Sequence, residues 1–285
     1  MFVTLLGGLP RPPLPDDAAP EAVLDAVLQV QTTHGLVPLT DGGWPPVPDD
    51  VVASWRATAA RTDALVKAVV GGPRTTGRTA AEVRDVVARL ADAGCAWVEI
   101  AEPAAASIGA DPDARRRFVE DHVALTDGFE GLHLSLAITG GDASAAGIET
   151  VLAGAYASLA VDLIDGPDHW YLVAAAPATV GIICGALSAG AGSDDTVELL
   201  LWATAYAAST AGRGPERVGL ATAGPLTGLT WEEAEAKLGR LGEALELGSL
   251  PPEEQRRRLD PRALDLRSAA LGRYVPPDAK GRRST

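Results

Sequence analysis

The sequence predicts an α/β fold, a single (β/α)8 barrel, on three observations. Short apolar runs alternate with amphipathic helical stretches along nearly all of the 285 residues. Eight such pairs fit into the first ~250 residues, the length that eight strands each followed by a helix require. The runs are almost continuously apolar, as parallel strands buried on both faces must be. A doubly wound open sheet is the alternative. No Gly-x-Gly-x-x-Gly turn follows the first run, which weakens its dinucleotide-binding form.

Taken in order, strands are expected at residues 3–6, 36–39, 65–70, 96–100, 132–138, 159–164, 180–187 and 218–221. Helices with a 3.6-residue apolar stripe are expected at 20–33, 51–64, 80–93, 114–126, 143–155, 167–175, 196–211 and 231–247. Two helix starts carry a capping-box spacing, Thr79 before Glu82 and Thr230 before Glu233. The barrel then occupies residues 1–249. Residues 250–285 form an extension rich in Pro and Arg (Pro251-Pro252, Arg256-Arg257-Arg258, Pro276-Pro277, Arg282-Arg283), with one short amphipathic piece at 261–271. Such a tail packs across the barrel or reaches a second copy or partner subunit.

Composition narrows the function. Hydrophobic residues make up 47% of the chain, which excludes a disordered one. Lys+Arg 24 against Asp+Glu 38 leaves a formal net charge of −14, which argues against nucleic acid or an anionic membrane as partner and leaves a small-molecule substrate. The apolar stretches 174–189 and 197–211 are interrupted by Pro177, Gly181 and Gly185 or carry Glu198, short of the ~20 apolar residues that span a bilayer. Residues 1–15 lack a basic start and a long apolar segment. Cys95 and Cys184 are the only cysteines, so a reducing cytoplasm is the expected location.

In barrels of this kind the site lies at the C-terminal ends of the strands. There stand Gly7-Gly8-Leu9-Pro10-Arg11, Thr40-Asp41-Gly42-Gly43-Trp44, Gly71-Gly72-Pro73-Arg74-Thr75, Glu99-Ile100-Ala101-Glu102-Pro103, His133 with Ser135, Asp162 with Asp165, Cys184 with Ser188, and Thr222-Ala223-Gly224. Gly8-Leu9-Pro10-Arg11, the segment from Gln31 to Gly42, Gly72-Pro73-Arg74-Thr75, the stretch from Ala93-Gly94 to Glu102-Pro103-Ala104, and Ala223-Gly224 with the helix after it, in this order, resemble the cobalamin-independent methionine synthase family, in particular its zinc-carrying C-terminal barrel. The resemblance spans about residues 1–247 and implies a barrel of the methionine synthase/uroporphyrinogen decarboxylase type. It also implies transfer of a one-carbon group from a folate-type methyl donor.

The departures from that pattern bear on the chemistry. The family's His-x-Cys zinc pair reads His133-Leu134-Ser135 here, its late Cys reads Ala223, and its Glu ligand corresponds to Asp162. The two carboxylates that hold the amino group of homocysteine in the family are replaced by Ala101 and Gly43. The resemblance therefore implies a barrel that has lost activation of a thiol by zinc.

Strand parity puts Trp97, Glu99 and Ala101 on one face, and His133 with Ser135 on one face. Glu99 and Asp162 interrupt apolar runs and need partners, His133 and Arg74 being the candidates. His133, Glu99 and Asp162 are thus expected as catalytic acid/base and orienting groups, with Arg11, Asp41, Trp44, Arg74, Glu102 and Ser135 binding substrate. A non-zinc divalent metal held by His133, Asp162 and Glu99 is a weaker expectation. Bland readings stand beside these: His133 as a structural histidine, Ser135 as a filler for a vacated Cys, Cys184 as core, and His34 and His122 as helix residues near the surface. The alternative function is a catalytically degenerate barrel serving as a binding or scaffolding subunit, as the zinc-free N-terminal barrel does in the long members of the family.

Overall fold

The computed structural model describes residues 1–47, 49–192 and 195–259. Seven parallel strands form one curled sheet: β1 (Phe2–Thr4), β2 (Ala68–Gly71), β3 (Trp97–Ala101), β4 (His133–Ile138), β5 (Ser158–Asp162), β6 (Gly181–Leu187) and β7 (Val218–Thr222). Their order is β1-β7-β6-β5-β4-β3-β2, so β1 and β2 are the edges.

The second expected strand, 36–39, is corrected to an isolated parallel bridge between Leu39 and Val66. Pro38 has no N–H to give to a ladder, which keeps this stretch from pairing regularly. The segment still joins both edges. Val37 N–H donates to Val3 O (2.8 Å), Leu39 N–H to Leu65 O (2.8 Å), and Lys67 N–H to Leu39 O (2.9 Å).

The helices are α1 (Pro20–Thr33), α2 (Val51–Ala59), α3 (Pro73–Thr76), α4 (Ala80–Asp92), α5 (Pro112–Thr126), α6 (Ile148–Val151), α7 (His169–Ala175), α8 (Val197–Ser209), α9 (Trp231–Ser249) and α10 (Pro252–Arg258). The capping boxes at Thr79 and Thr230 both form. The helix expected over 143–155 is instead a 3-10 turn at Ser144–Ala146 and the single turn of α6. Gly147, at φ +87° and ψ 145°, breaks it. The expected amphipathic piece at 261–271 lies outside the described residues.

Two apolar clusters follow from strand parity. Residues facing outward, such as Val66, Ala68, Val98 and Leu134, pack under the helices in the large core. Residues facing into the curl, among them Leu6, Trp97, Ala137, Ile183 and Phe2, form a second, smaller cluster. No helix among the described residues is long and apolar enough to cross a membrane. On the outside, α7 and α8 present an aromatic group in which Trp170 packs edge-on against Trp202 and Tyr206, with Tyr171 67% and Trp202 42% exposed.

Arg213 holds this region together and pairs with no acid among the described residues. It is 2% exposed, and its guanidinium donates to Val180 O (2.8 Å), Ala207 O (2.7 Å), Ala176 O (2.9 Å) and Thr210 Oγ1 (2.6 Å). It thereby satisfies carbonyls at the C-terminal ends of α7 and α8, where positive charge also suits the helix dipoles. Arg213→Ala is expected to lower unfolding free energy by about 3 kcal/mol, read from the urea midpoint. Arg213→Lys recovers little of it, because one ammonium cannot replace the guanidinium's fork of donors.

Candidate active site

The C-terminal end of the bridge segment is built first by Gln31. Buried in α1, its amide donates to Thr40 O (2.8 Å) and accepts from Thr40 N–H (3.0 Å), mimicking a strand neighbour. The chain then turns through Gly42 and Gly43, at φ +62° and +82°, where a side chain would strain both residues. Gly43 N–H donates to Asp41 Oδ1 (2.9 Å), and Leu9 N–H to Gly42 O (2.8 Å). Trp44 Nε1–H reaches Leu9 O (3.0 Å), and the Arg11 guanidinium lies over the Trp44 ring at 5.7 Å. Arg11, Asp41 and Trp44, expected separately as binding residues, are therefore brought together on one rim.

Beside that rim is a cavity of about 390 Å3. It opens where the chain after Leu39 diverges from β2. Its lining includes Lys67 and Val69 of the inward parity, Val66 and Ala68 of the outward parity, and Ser54 and Trp55 of α2. Trp55 Nε1–H donates to Val66 O (3.1 Å), which pins α2 against the gap. Among the described residues, Asp41 and Lys67 are the only charged ones lining it. Burial pushes the Asp41 carboxyl up, only partly offset by the Gly43 N–H, and its Oδ2 takes no hydrogen bond from a described residue. Ser54 is 3% exposed and its Oγ has no partner.

The three expected catalytic residues are not brought together. Glu99, 1% exposed, is paired with Lys67 rather than with His133 or Arg74: Lys67 Nζ donates to Glu99 Oε2 (2.5 Å) and to Leu5 O (2.8 Å). His133 opens β4 at its N-terminal end, its ring tilted against Trp97 at 3.8 Å between centroids, with Nε2 at 2.8 Å from Ser158 Oγ. Burial, and then the charge of Lys67, lower its pKa to about 4, so it is neutral near pH 7. Asp162 ends β5, four residues beyond Ser158, or about 13 Å at ~3.3 Å per residue. Its carboxylate accepts N–H groups from Gly140 (3.1 Å), Ile164 (2.8 Å) and Asp165 (2.9 Å), which fixes two loops; burial still raises its pKa.

The remaining expected residues sit apart from the cavity. Ser135 Oγ accepts Trp97 Nε1–H (3.0 Å) inside the curl. Glu102, fully buried, accepts Arg74 N–H (3.1 Å), Thr75 N–H (2.6 Å) and the Thr75 hydroxyl, and a Cβ on Gly72 would overlap its carboxylate. Arg74 in turn donates to Ala104 O (3.1 Å) and Ser107 Oγ (3.2 Å). The surface reading of His122 is corrected: it is 1% exposed, with Nδ1 at 2.6 Å from Tyr156 Oη and its ring stacked on Phe118. Cys184 is core, its thiol pushed up to about 12 by burial.

Sequence reasoning missed Lys67, Ser54 and His169. Lys67 interrupts an apolar run as visibly as Glu99 does, and that signal was readable. Ser54 carries none. His169 is buried with Nδ1–H donating to Asp162 O (2.7 Å), while Nε2 accepts Ala143 N–H (2.8 Å).

The donor set does not fit the zinc carried by the family that the sequence resembles. His133 and Ser135 bond to Ser158 and Trp97 at the lower end of the curl, Ala223 offers no ligand atom, and Asp162 lies at the opposite end, its carboxylate engaged by three N–H groups. Nor do His133, Asp162 and Glu99 converge as a site for another divalent metal. Among the described residues no three His, Cys, Asp or Glu side chains are gathered to hold a metal ion.

No protein-family model matches the chain, and no curated protein does. Solved structures do match. One is a B12-independent methionine synthase from Shewanella sp. W3-18-1, in complex with selenomethionine, at 12% identity over 95% of this chain and 98% of that one, TM-score 0.65. Another, from Listeria monocytogenes and assigned as a vitamin-B12 independent methionine synthase, matches at 12% identity over 86% and 97%, TM-score 0.65. A dihydrodipicolinate synthase matches at 12% identity over 96% and 90%, TM-score 0.51. At these identities the likeness concerns the fold, a mixed α/β arrangement of the barrel-enzyme kind.

The buried ion pair gives this site its most direct test. Lys67→Met strands the Glu99 carboxylate and is expected to cost about 3–5 kcal/mol in unfolding free energy. The double change Lys67→Met with Glu99→Leu, which removes both charges, is expected to recover most of that loss in a urea titration.

Proposed function

We propose that the protein is a small-molecule enzyme on a (β/α)8-type barrel whose second strand is reduced to a bridge. It acts on a small polar metabolite in the cavity beside that bridge, and Asp41 is its proton-transferring group. One observation carries this reading: Asp41 is a carboxylate at the C-terminal end of the bridge segment, raised by burial, with one oxygen engaged by no described residue, on the wall of the cavity. Burial favours the protonated form of such a carboxyl more than exposure does, which suits a group that takes up and releases a proton. Transfer of a one-carbon group is the finer form of the proposal. It rests on the resemblance in the strand-end motifs, and thiol activation by zinc is not part of it.

Asp41→Asn tests the assignment while keeping an oxygen for the Gly43 N–H. In a thermal-shift screen of small polar metabolites, compounds that stabilise the wild type are expected to lose their effect on the variant; equal shifts in both would sink the role of Asp41. The unliganded variant is expected to melt higher than the wild type at pH 7. A carboxyl whose folded-state pKa is raised contributes stability below its unfolded pKa and loses it as pH rises through the raised value, so the difference closes in acid.

A second reading, a subunit that docks on a partner, is supported by the exposed aromatic group of Trp170, Tyr171 and Trp202 on α7 and α8. On that reading Trp202→Glu converts an associated species to monomer in light scattering; a monomeric wild type speaks against self-association through this face.

A further inference from the structure

We propose that the cavity takes a small organic ammonium ion with an apolar body, its cation against Asp41, its carbons against Trp55 and Val66, and a polar atom at Ser54 Oγ. This rests on the reading of the cavity as the functional site and names the ligand class it selects.

The wall chemistry carries the inference. Lys67 is the single basic residue lining the cavity among the described residues, and its ammonium is taken by Glu99 and Leu5 O, so it offers no free positive charge. Asp41 has no basic side chain within ion-pair distance among the described residues. A partly desolvated carboxylate without a counter-charge is costly, and a ligand cation is what relieves it. A bare divalent metal does not fit, since the lining supplies one carboxylate among mostly apolar side chains rather than a shell of oxygens.

Ser54 is the independent second observation. Its hydroxyl is buried, bonded to nothing and part of the cavity wall, which is an unfilled requirement for a hydrogen-bonding group on whatever enters. The same inventory selects against zwitterions: an amino acid brings a carboxylate, for which the lining holds no free cation. A formal net charge of −14 adds a general attraction for cations over anions.

The test uses the full chain and four probes of similar size: butylammonium, butanol, norvaline and butyrate, followed by ligand-observed NMR at millimolar concentrations. Butylammonium is expected to bind about tenfold or more tighter than butanol or norvaline, a margin of roughly one ion-pair contact. Asp41→Asn is expected to remove that margin while leaving butanol unchanged. Ser54→Leu, which fills the cavity, is expected to abolish butylammonium and butanol binding alike, with near-UV circular dichroism confirming that the variant is folded. Butylammonium affinity is expected to fall as pH is lowered through the titration of Asp41, because only the ionised carboxylate pairs with the cation.

Butanol or norvaline binding as well as butylammonium, or butylammonium indifferent to Asp41→Asn, overturns the ammonium preference. If metabolites of another charge still require Asp41, the functional site stands and only its ligand class changes. If no probe binds, or binding ignores Ser54→Leu, the cavity is not the site and both readings fall.

Discussion

The ion pair of Lys67 and Glu99 is the constraint on which the architecture depends. Seven strands leave two edges, β1 and β2, and the segment between them pairs through single hydrogen bonds rather than a ladder. Lys67 at the start of β2 reaches Glu99 on β3 and the carbonyl of Leu5 just after β1. One ammonium therefore spans the place where backbone pairing is weakest. Two charges buried to 0% and 1% exposure are unfavourable unless every partner is met, and meeting them fixes how far apart the edges can lie. An apolar pair would fill the volume without that directional demand. The pair contributes geometry here more than net free energy.

The cavity is a consequence of the same weak pairing. Beyond Leu39 the chain is held by Gln31, Leu9 and the Gly42-Gly43 turn instead of by β2, and the space that a regular second strand would close stays open toward α2. Trp55, bonded to Val66 O, sets the outer wall at that opening. Two polar atoms without a hydrogen-bond partner among the described residues, Asp41 Oδ2 and Ser54 Oγ, belong to residues that line this opening. In this fold, the price of a proline in a barrel strand is an unfinished surface, and an unfinished surface is where a ligand is useful.

Much of the fold was legible in the sequence, because it depends on local signals that survive without tertiary context. The boundaries of α1 and the boxes at Thr79 and Thr230 are read from spacing and capping chemistry. The inward parity of Trp97 and Glu99 follows from alternation. The second strand was overcalled because 36–39 is apolar, while the missing N–H of Pro38 matters only once two neighbours compete for it. The helix over 143–155 was overcalled because its stripe runs across Gly147, whose φ no periodicity reports. The candidate site was legible as residue types and illegible as groupings. Asp41, Arg11 and Trp44 share a rim through carbonyls of residues 9, 15 and 16, contacts that side-chain patterns do not encode. Ser54 had no sequence signal at all, since a serine on the inner face of a helix looks like any small helix residue.

The acids at the strand ends and inside the curl separate by how their charge is met. Glu99 has an ammonium. Glu102 has two backbone N–H groups and a hydroxyl, and Asp162 has three N–H groups from two loops. Each is held by the protein itself, and removing any of them loosens the framework. Asp41 has one N–H on one oxygen and nothing among the described residues on the other. The protein supplies partners for these three buried carboxylates, while half-buried Asp41 lines a cavity with one oxygen that no described residue engages. Framework roles account for Glu99, Glu102 and Asp162, whereas no framework contact uses Asp41 Oδ2. Asp41 lines the cavity with that capacity unspent, and that asymmetry is why the chemistry is assigned to Asp41 rather than to the more deeply buried acids.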